Sequence, residues 1–260
     1  MDIPKELKGK ELFKFLVENK EDILYAKKNE FKKADSISCD TPHLSHSVSK
    51  ELVNSDVDKT SIKVRAIINT TNVVDSHKDV HLDGIWNKSI SENKNIKFLQ
   101  EHQMSFKTII ADKDDLDVSV NSVTWKSLGF DFEGKTEALT FDATVNQKRN
   151  NEMFKEYSNK NVDNHSVGMR YVKLALAINS DDEDYKEEKE IWDKVYPLIA
   201  NKVELEKDNY FWAVSEAKVI EGSAVVMGSN GFTPTQEPKK EQVVSEEEKS
   251  INAIKEWLKE

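Results

Sequence analysis

Cysteine is almost missing from this chain: Cys39 is the single one among 260 residues. That excludes an internal disulfide and a cysteine-based zinc site, and it fits a reducing compartment. Long apolar runs are missing too. No stretch approaches the roughly 18 apolar residues of a membrane span. The N-terminal MDIPKELKGKELFKF lacks the apolar core of a signal peptide. A protein made and kept in a cytosol is therefore expected. Basic charge is in deficit, with 38 Lys and Arg against 48 Asp and Glu and a net charge of −10. A broad duplex-binding face needs the opposite balance, so no specific nucleic-acid partner is expected.

Charged residues make up 33% of the chain and apolar residues 37%, which reads as soluble and highly charged. The length suits one sizeable domain with extensions, or two small domains. Residues 1–34 read as a helical arm, with Leu12, Phe13, Leu16, Ile23 and Leu24 at helical spacing. Residues 35–59 are polar and irregular and read as a linker. From Ser61 the pattern changes. In SIKVRAIIN, Ile62, Val64, Ala66 and Ile68 alternate with polar residues, as in a half-buried strand. EALTFDATV repeats the pattern, with shorter strands expected in IKFLQEH, KTIIA and LDVSVNSV.

A helix is expected over 148–158 and a long strand over 165–179. An acidic run, 181–190, leads into a helix that Pro197 should kink or end. Carboxylates there favour a helix start and need no catalytic role. A last strand is expected over 210–228. Residues 236–260 read as a Pro-containing linker and a C-terminal helix. The core domain should span 60–235. Its elements show no regular βαβ alternation, so the class is α+β with a mainly antiparallel sheet or barrel.

The six histidines are His43, His46, His77, His81, His102 and His165. His102 ends the apolar run of KFLQEH, where a ring would be held rigidly with its tip exposed. It suits either a general base, which can take a hydroxyl proton near neutrality, or a partly buried structural histidine. Ser166 precedes Gly168 by two residues in HSVG. A serine becomes a nucleophile when a base removes its proton, and a glycine beside it leaves room for a substrate backbone or an oxyanion. An ordinary strand serine is the alternative. His165 should point to the opposite face from Ser166. Glu221 suits an imidazole-orienting acid as well as a solvated strand-edge carboxylate, with Ser223 as a reserve nucleophile. A competing constellation is DSHKDVH: Asp75, His77, Asp79 and His81 would share one strand face and could hold a divalent ion. Gly84 and the polar surroundings argue instead for a turn.

Several segments, taken in order, resemble the prohead proteases of tailed phages. Asp79, Gly84, Trp86 and His102 match an acidic turn, a Gly and aromatic pair, and a strand ending in His. Ser166-Val167-Gly168 matches a strand with Ser-x-Gly. Glu221-Gly222-Ser223, followed by Gly228-Ser229-Asn230, matches a last strand with an acid two before a serine and then a small Asn-containing turn. The match covers roughly residues 61–233. Two departures stand out: His81 replaces a usual aliphatic residue, and 181–205 looks like an insertion.

The resemblance implies a herpesvirus-protease-like β-barrel surrounded by helices. It implies a serine endopeptidase that cleaves scaffold and major capsid precursors inside the procapsid, in the host cytoplasm, with no cofactor and no metal. His102 and Ser166 map to its base and nucleophile. Glu221 is the choice for third member, with Asp79, Asp83 and Asp112 as alternatives. Arg170 shares strand parity with Ser166, so Arg170 and the Gly168 region are candidates for the oxyanion or substrate site. The insertion would cover the active site or contact the capsid. The arms would be separable and the 233–245 linker open to self-cleavage. By analogy with herpesvirus proteases a homodimer is implied. The rivals are a metal-dependent hydrolase using the Asp75–His81 cluster and a non-enzymatic capsid or scaffold component.

Overall fold

The computed structural model describes residues 3–4, 6–30 and 60–238. The linker expected over 35–59, with Cys39, His43 and His46, and the C-terminal helix lie outside the described residues.

The alternating pattern from Ser61 forms β1 (Ser61–Thr70), which pairs antiparallel with β6 (Lys135–Asn146). β5 (Leu116–Thr124) continues this sheet beyond β6, and the two-residue β9 (Thr235–Gln236) adds to the other side of β1. The second sheet is built on β8 (Tyr210–Ala224). Along one edge of β8 run β2 (Asp79–His81) and then β3 (Lys97–Gln100), both parallel to it. β4 (Ile109–Asp112) pairs with β3, and β7 (His165–Ile178) runs antiparallel along the other edge of β8. The class is α+β, as expected. Among the described residues, however, the strands form two open sheets, and neither closes into a barrel. The sheet around β8 is also mixed, because β2 and β3 enter it parallel.

The two sheets share an apolar core. Ile68, Phe141 and Val145 from the first meet Phe98, Val167, Met169 and Val219 from the second. Gly222 shows how tight this is. A Cβ built there would lie 2.5 Å from Phe141 Cε2 and 3.0 Å from Ile68 Cγ2. The glycine of Glu-Gly-Ser is thus required by packing between the sheets.

The N-terminal segment forms two helices, α1 (Gly9–Glu18) and α2 (Lys20–Asn29), broken at Asn19. They are no detached arm. Leu12, Phe13, Leu16 and Ile23 pack on Leu176, Ile178, Tyr210 and Trp212 at the far end of the β7–β8 ribbon. The acidic segment forms α5 (Lys186–Val195), which ends next to Pro197. Its Trp192 and Val195 cover Ala177, Phe211 and Ala213, on the alternate positions of the same ribbon end. One ribbon end is therefore clasped between the N-terminal helices and the insertion. Lys20 at the start of α2 bonds the buried Glu188 of α5 at 2.7 Å. The insertion packs away from Ser166, which sits at the opposite end of β7. Two further short helices among the described residues are α3 (Asn87–Glu92), between β2 and β3, and α4 (Asn151–Ser158), before β7.

Gly222→Ala should destabilise the protein by roughly 1–3 kcal/mol through overpacking. The double variant with Phe141→Leu should recover part of this loss. Urea midpoints of the two variants check both expectations.

Candidate functional site

Three strand ends meet at one end of the second sheet. β3 runs parallel to β8, so their C-terminal ends coincide, with Leu99 beside Ser223 and Gln100 beside Ala224. β7 runs antiparallel, so its N-terminal end arrives at the same place, with Ser166 opposite Ser223 and Gly168 opposite Glu221.

Facing then decides the chemistry. Gly222 and Ala224 point into the core, so Glu221 and Ser223 point to the other face. Directly opposed residues of an antiparallel pair share a face, with Cβ atoms about 4.5–5.5 Å apart. Ser166 therefore stands across from Ser223 and diagonal to Glu221.

His102 follows two residues after the end of β3. Glu101 and His102 both adopt left-handed backbone, with φ of 52° and 55°. Such a conformation costs a non-glycine residue roughly 1–2 kcal/mol. It is held by hydrogen bonds from Glu101 N to Ala224 O (2.9 Å) and from His102 N to Ser223 Oγ (3.1 Å). The bend ends the strand and brings the ring back to Glu221. Its Nδ1 lies 2.5 Å from Glu221 Oε1. A carboxylate oxygen accepts, so Nδ1 carries the proton and Nε2 is the basic nitrogen of the neutral ring. The second carboxylate oxygen accepts from Ser223 Oγ at 2.6 Å. Ser166, His102, Glu221 and Ser223 are all buried.

Of the four acids that the sequence left open, Glu221 is the one hydrogen-bonded to His102. Asp112, at the end of β4, pairs with Lys97 of β3 and with Arg149. Asp83 accepts hydrogen bonds from Thr71 Oγ1 and Asn72 Nδ2. Asp79 is held elsewhere, as described below. Arg170 lies on the Ser166 face and is exposed. It is four residues along β7, about 13 Å at about 3.3 Å per residue, so it is not adjacent to the hydroxyl. Gly168 stands opposite Glu221 without a side chain and is itself buried. His165 faces the core, with its ring between Thr233 O (2.9 Å) and Tyr157 Oη (3.0 Å). Burial pushes it down to about 4 against a weaker opposing pull from the Thr233 carbonyl. It is structural, as its strand parity suggested.

The comparisons add no relative. No family model, no curated protein and no solved structure matches this chain.

The DSHKDVH segment does not form a metal cluster. Among the described residues no group of three or more His, Cys, Asp and Glu is placed to hold an ion. A turn at Ser76–Lys78, with Lys78 at φ 58°, breaks the strand alternation. Asp75 Oδ1 accepts the backbone N–H groups of His77 (2.8 Å) and Asp79 (2.9 Å). Asp79 is ion-paired with Lys27 of α2 and accepts from Tyr171 Oη at 2.8 Å. His81 lies 3.1 Å from both Tyr171 Oη and Asn69 Oδ1. These residues form a buried polar chain that ties α2 to the sheet. Lys27 escaped the sequence reading, although it lies one turn after Ile23, on the buried side of α2. Tyr171 carried no local signal.

Burial, and then the Asp79 charge, push the Asp75 carboxyl up to about 7. A raised carboxyl contributes stability that is complete below its unfolded value near 4 and is lost as pH rises through about 7. His165 has the opposite sign: its contribution is present above about 6.5 and lost as pH falls through about 4. Asp75→Asn should therefore gain on the parent protein as pH rises from about 5 to about 8. Urea midpoints at the two pH values test this; a difference that is the same at both contradicts it.

Proposed function

We propose that this chain is a serine endopeptidase in which Ser166 is the nucleophile, His102 the general base and Glu221 the acid that orients the ring. The observation that carries the reading is the His102–Glu221 bond formed on the face, and at the sheet end, where Ser166 stands. A buried carboxylate that holds one ring nitrogen protonated leaves the other to take a hydroxyl proton. In the reaction His102 Nε2 removes the Ser166 proton as Oγ attacks a peptide carbonyl. The imidazolium that forms is stabilised by Glu221 and returns the proton to the leaving amine. Water then repeats the sequence on the acyl-enzyme. Backbone N–H groups beside Ser166 are the natural oxyanion donors, and Gly168 leaves room for the approach. Arg170, exposed on the same face, would contact substrate farther along β7.

The resemblance to prohead proteases gives this activity its setting: cleavage of scaffold and major capsid precursors during procapsid maturation, in the host cytoplasm. A homodimer and self-processing belong to the same reading. The barrel of that family would correspond here to the two packed sheets. The left-handed backbone at His102 supports an active site, because strain of this kind concentrates where function demands it. Occupation of Asp79 and His81 by the Lys27 and Tyr171 network speaks against the metal-hydrolase alternative.

Ser166→Ala should abolish cleavage of the scaffold precursor and leave the thermal melt unchanged. A fluorophosphonate should label the parent protein at Ser166, and His102→Ala should lose the labelling. Undiminished cleavage by Ser166→Ala would sink the assignment. A folded parent protein inert on both precursors would favour a capsid component without enzymatic activity.

A further inference from the structure

We infer that Ser223 is a positioning residue that holds both the acid and the base of this site; the inference rests on the reading of Ser166, His102 and Glu221 as catalytic. A serine hydroxyl has one proton to donate and two lone pairs to accept with. Ser223 uses the proton on Glu221 Oε2 at 2.6 Å, and it accepts the His102 backbone N–H at 3.1 Å. The hydroxyl is fully buried. Its proton is committed to a carboxylate that would otherwise lose one of its hydrogen bonds, so Ser223 is unsuited to act as the nucleophile.

The two bonds do different work. The bond to Glu221 completes the pairing of that carboxylate, since Oε1 is taken by His102 Nδ1. Both oxygens are then pinned, and the carboxylate plane is fixed relative to the imidazole. The bond from His102 N–H anchors the strained backbone that carries the ring. One hydroxyl thus connects the acid to the backbone of the base, and it sits directly across the strand pair from Ser166. Gly222 explains how it stays there: core packing against Phe141 fixes the β8 backbone between Glu221 and Ser223.

Removing the hydroxyl should misplace the ring without altering how a substrate lies on the surface. Displacement of a catalytic group by about 1 Å can cost about a hundredfold in rate. Ser223→Ala, made in the full chain and assayed on the scaffold precursor, should lower kcat by roughly tenfold to a hundredfold with KM within about twofold. Ser223→Cys, of similar size with a weaker donor, should recover part of the loss. A readout independent of activity is the proton resonance of His102 Nδ1–H. In a Ser166→Ala background, adding Ser223→Ala should move that resonance, because the carboxylate accepting its proton is no longer pinned.

An inert Ser166→Ala together with a Ser223→Ala variant of parental kcat and unchanged Nδ1–H resonance would overturn the positioning role and leave the catalytic reading standing. Full cleavage by Ser166→Ala would remove the catalytic reading first. Fluorophosphonate found on Ser223 would overturn both.

Discussion

One extra residue in β8 governs the candidate site. Opposite the Gly168–Met169 step of β7, the partner strand passes from Glu221 to Val219, so Ile220 is a bulge. A single inserted residue reverses which face every later side chain takes. Before the bulge, Ala217 and Val219 point into the core between the sheets; after it, Gly222 and Ala224 do. Glu221 and Ser223 are thereby turned to the opposite face, where Ser166 stands. In unbroken register from Val219, the two polar residues would lie in an apolar core. The strand directions do the rest. β3 parallel and β7 antiparallel to β8 bring His102 and Ser166 to the same end.

The far end of the ribbon shows how the fold bears the cost of burying charge. Asp79 is fully enclosed and would be costly without partners. Lys27 and Tyr171 supply them, and Lys27 comes from a helix more than fifty residues away in sequence. Breaking such a pair is far more damaging than replacing both partners together. The N-terminal helices therefore form a structural part of the domain, with an apolar face against Trp212 and an ionic anchor in the sheet. The acidic insertion completes the clasp through Glu188 and Lys20. Its packing there places the insertion at the end of β7 opposite to Ser166.

Much of the secondary structure was legible because it rests on local periodicity. β1, β5 and β6 lie close to where alternating residues placed them, and α5 ends beside Pro197 as expected. β2 and β9 were not legible. They are three and two residues long, and they exist because a neighbouring strand offers them backbone partners. The break at Asn19 was hidden because the apolar spacing continues on both sides of it. DSHKDVH looked like a set of ligands on one face, but alternation requires extended backbone and the turn at Lys78 removes it.

The sequence by itself determined the α+β class, the strand character of the segments around His102, Ser166 and Glu221, and the opposition of His165 to Ser166, because each follows from the periodicity of a single strand. Only the tertiary structure decided which carboxylate reaches His102, that Ser223 bonds both Glu221 and the His102 backbone, and that the N-terminal helices pack on the β7–β8 ribbon. Those depend on strand direction, on the bulge at Ile220 and on ion pairs between distant segments. A linear pattern does not encode them, because each arises when separate elements bury their faces against one another.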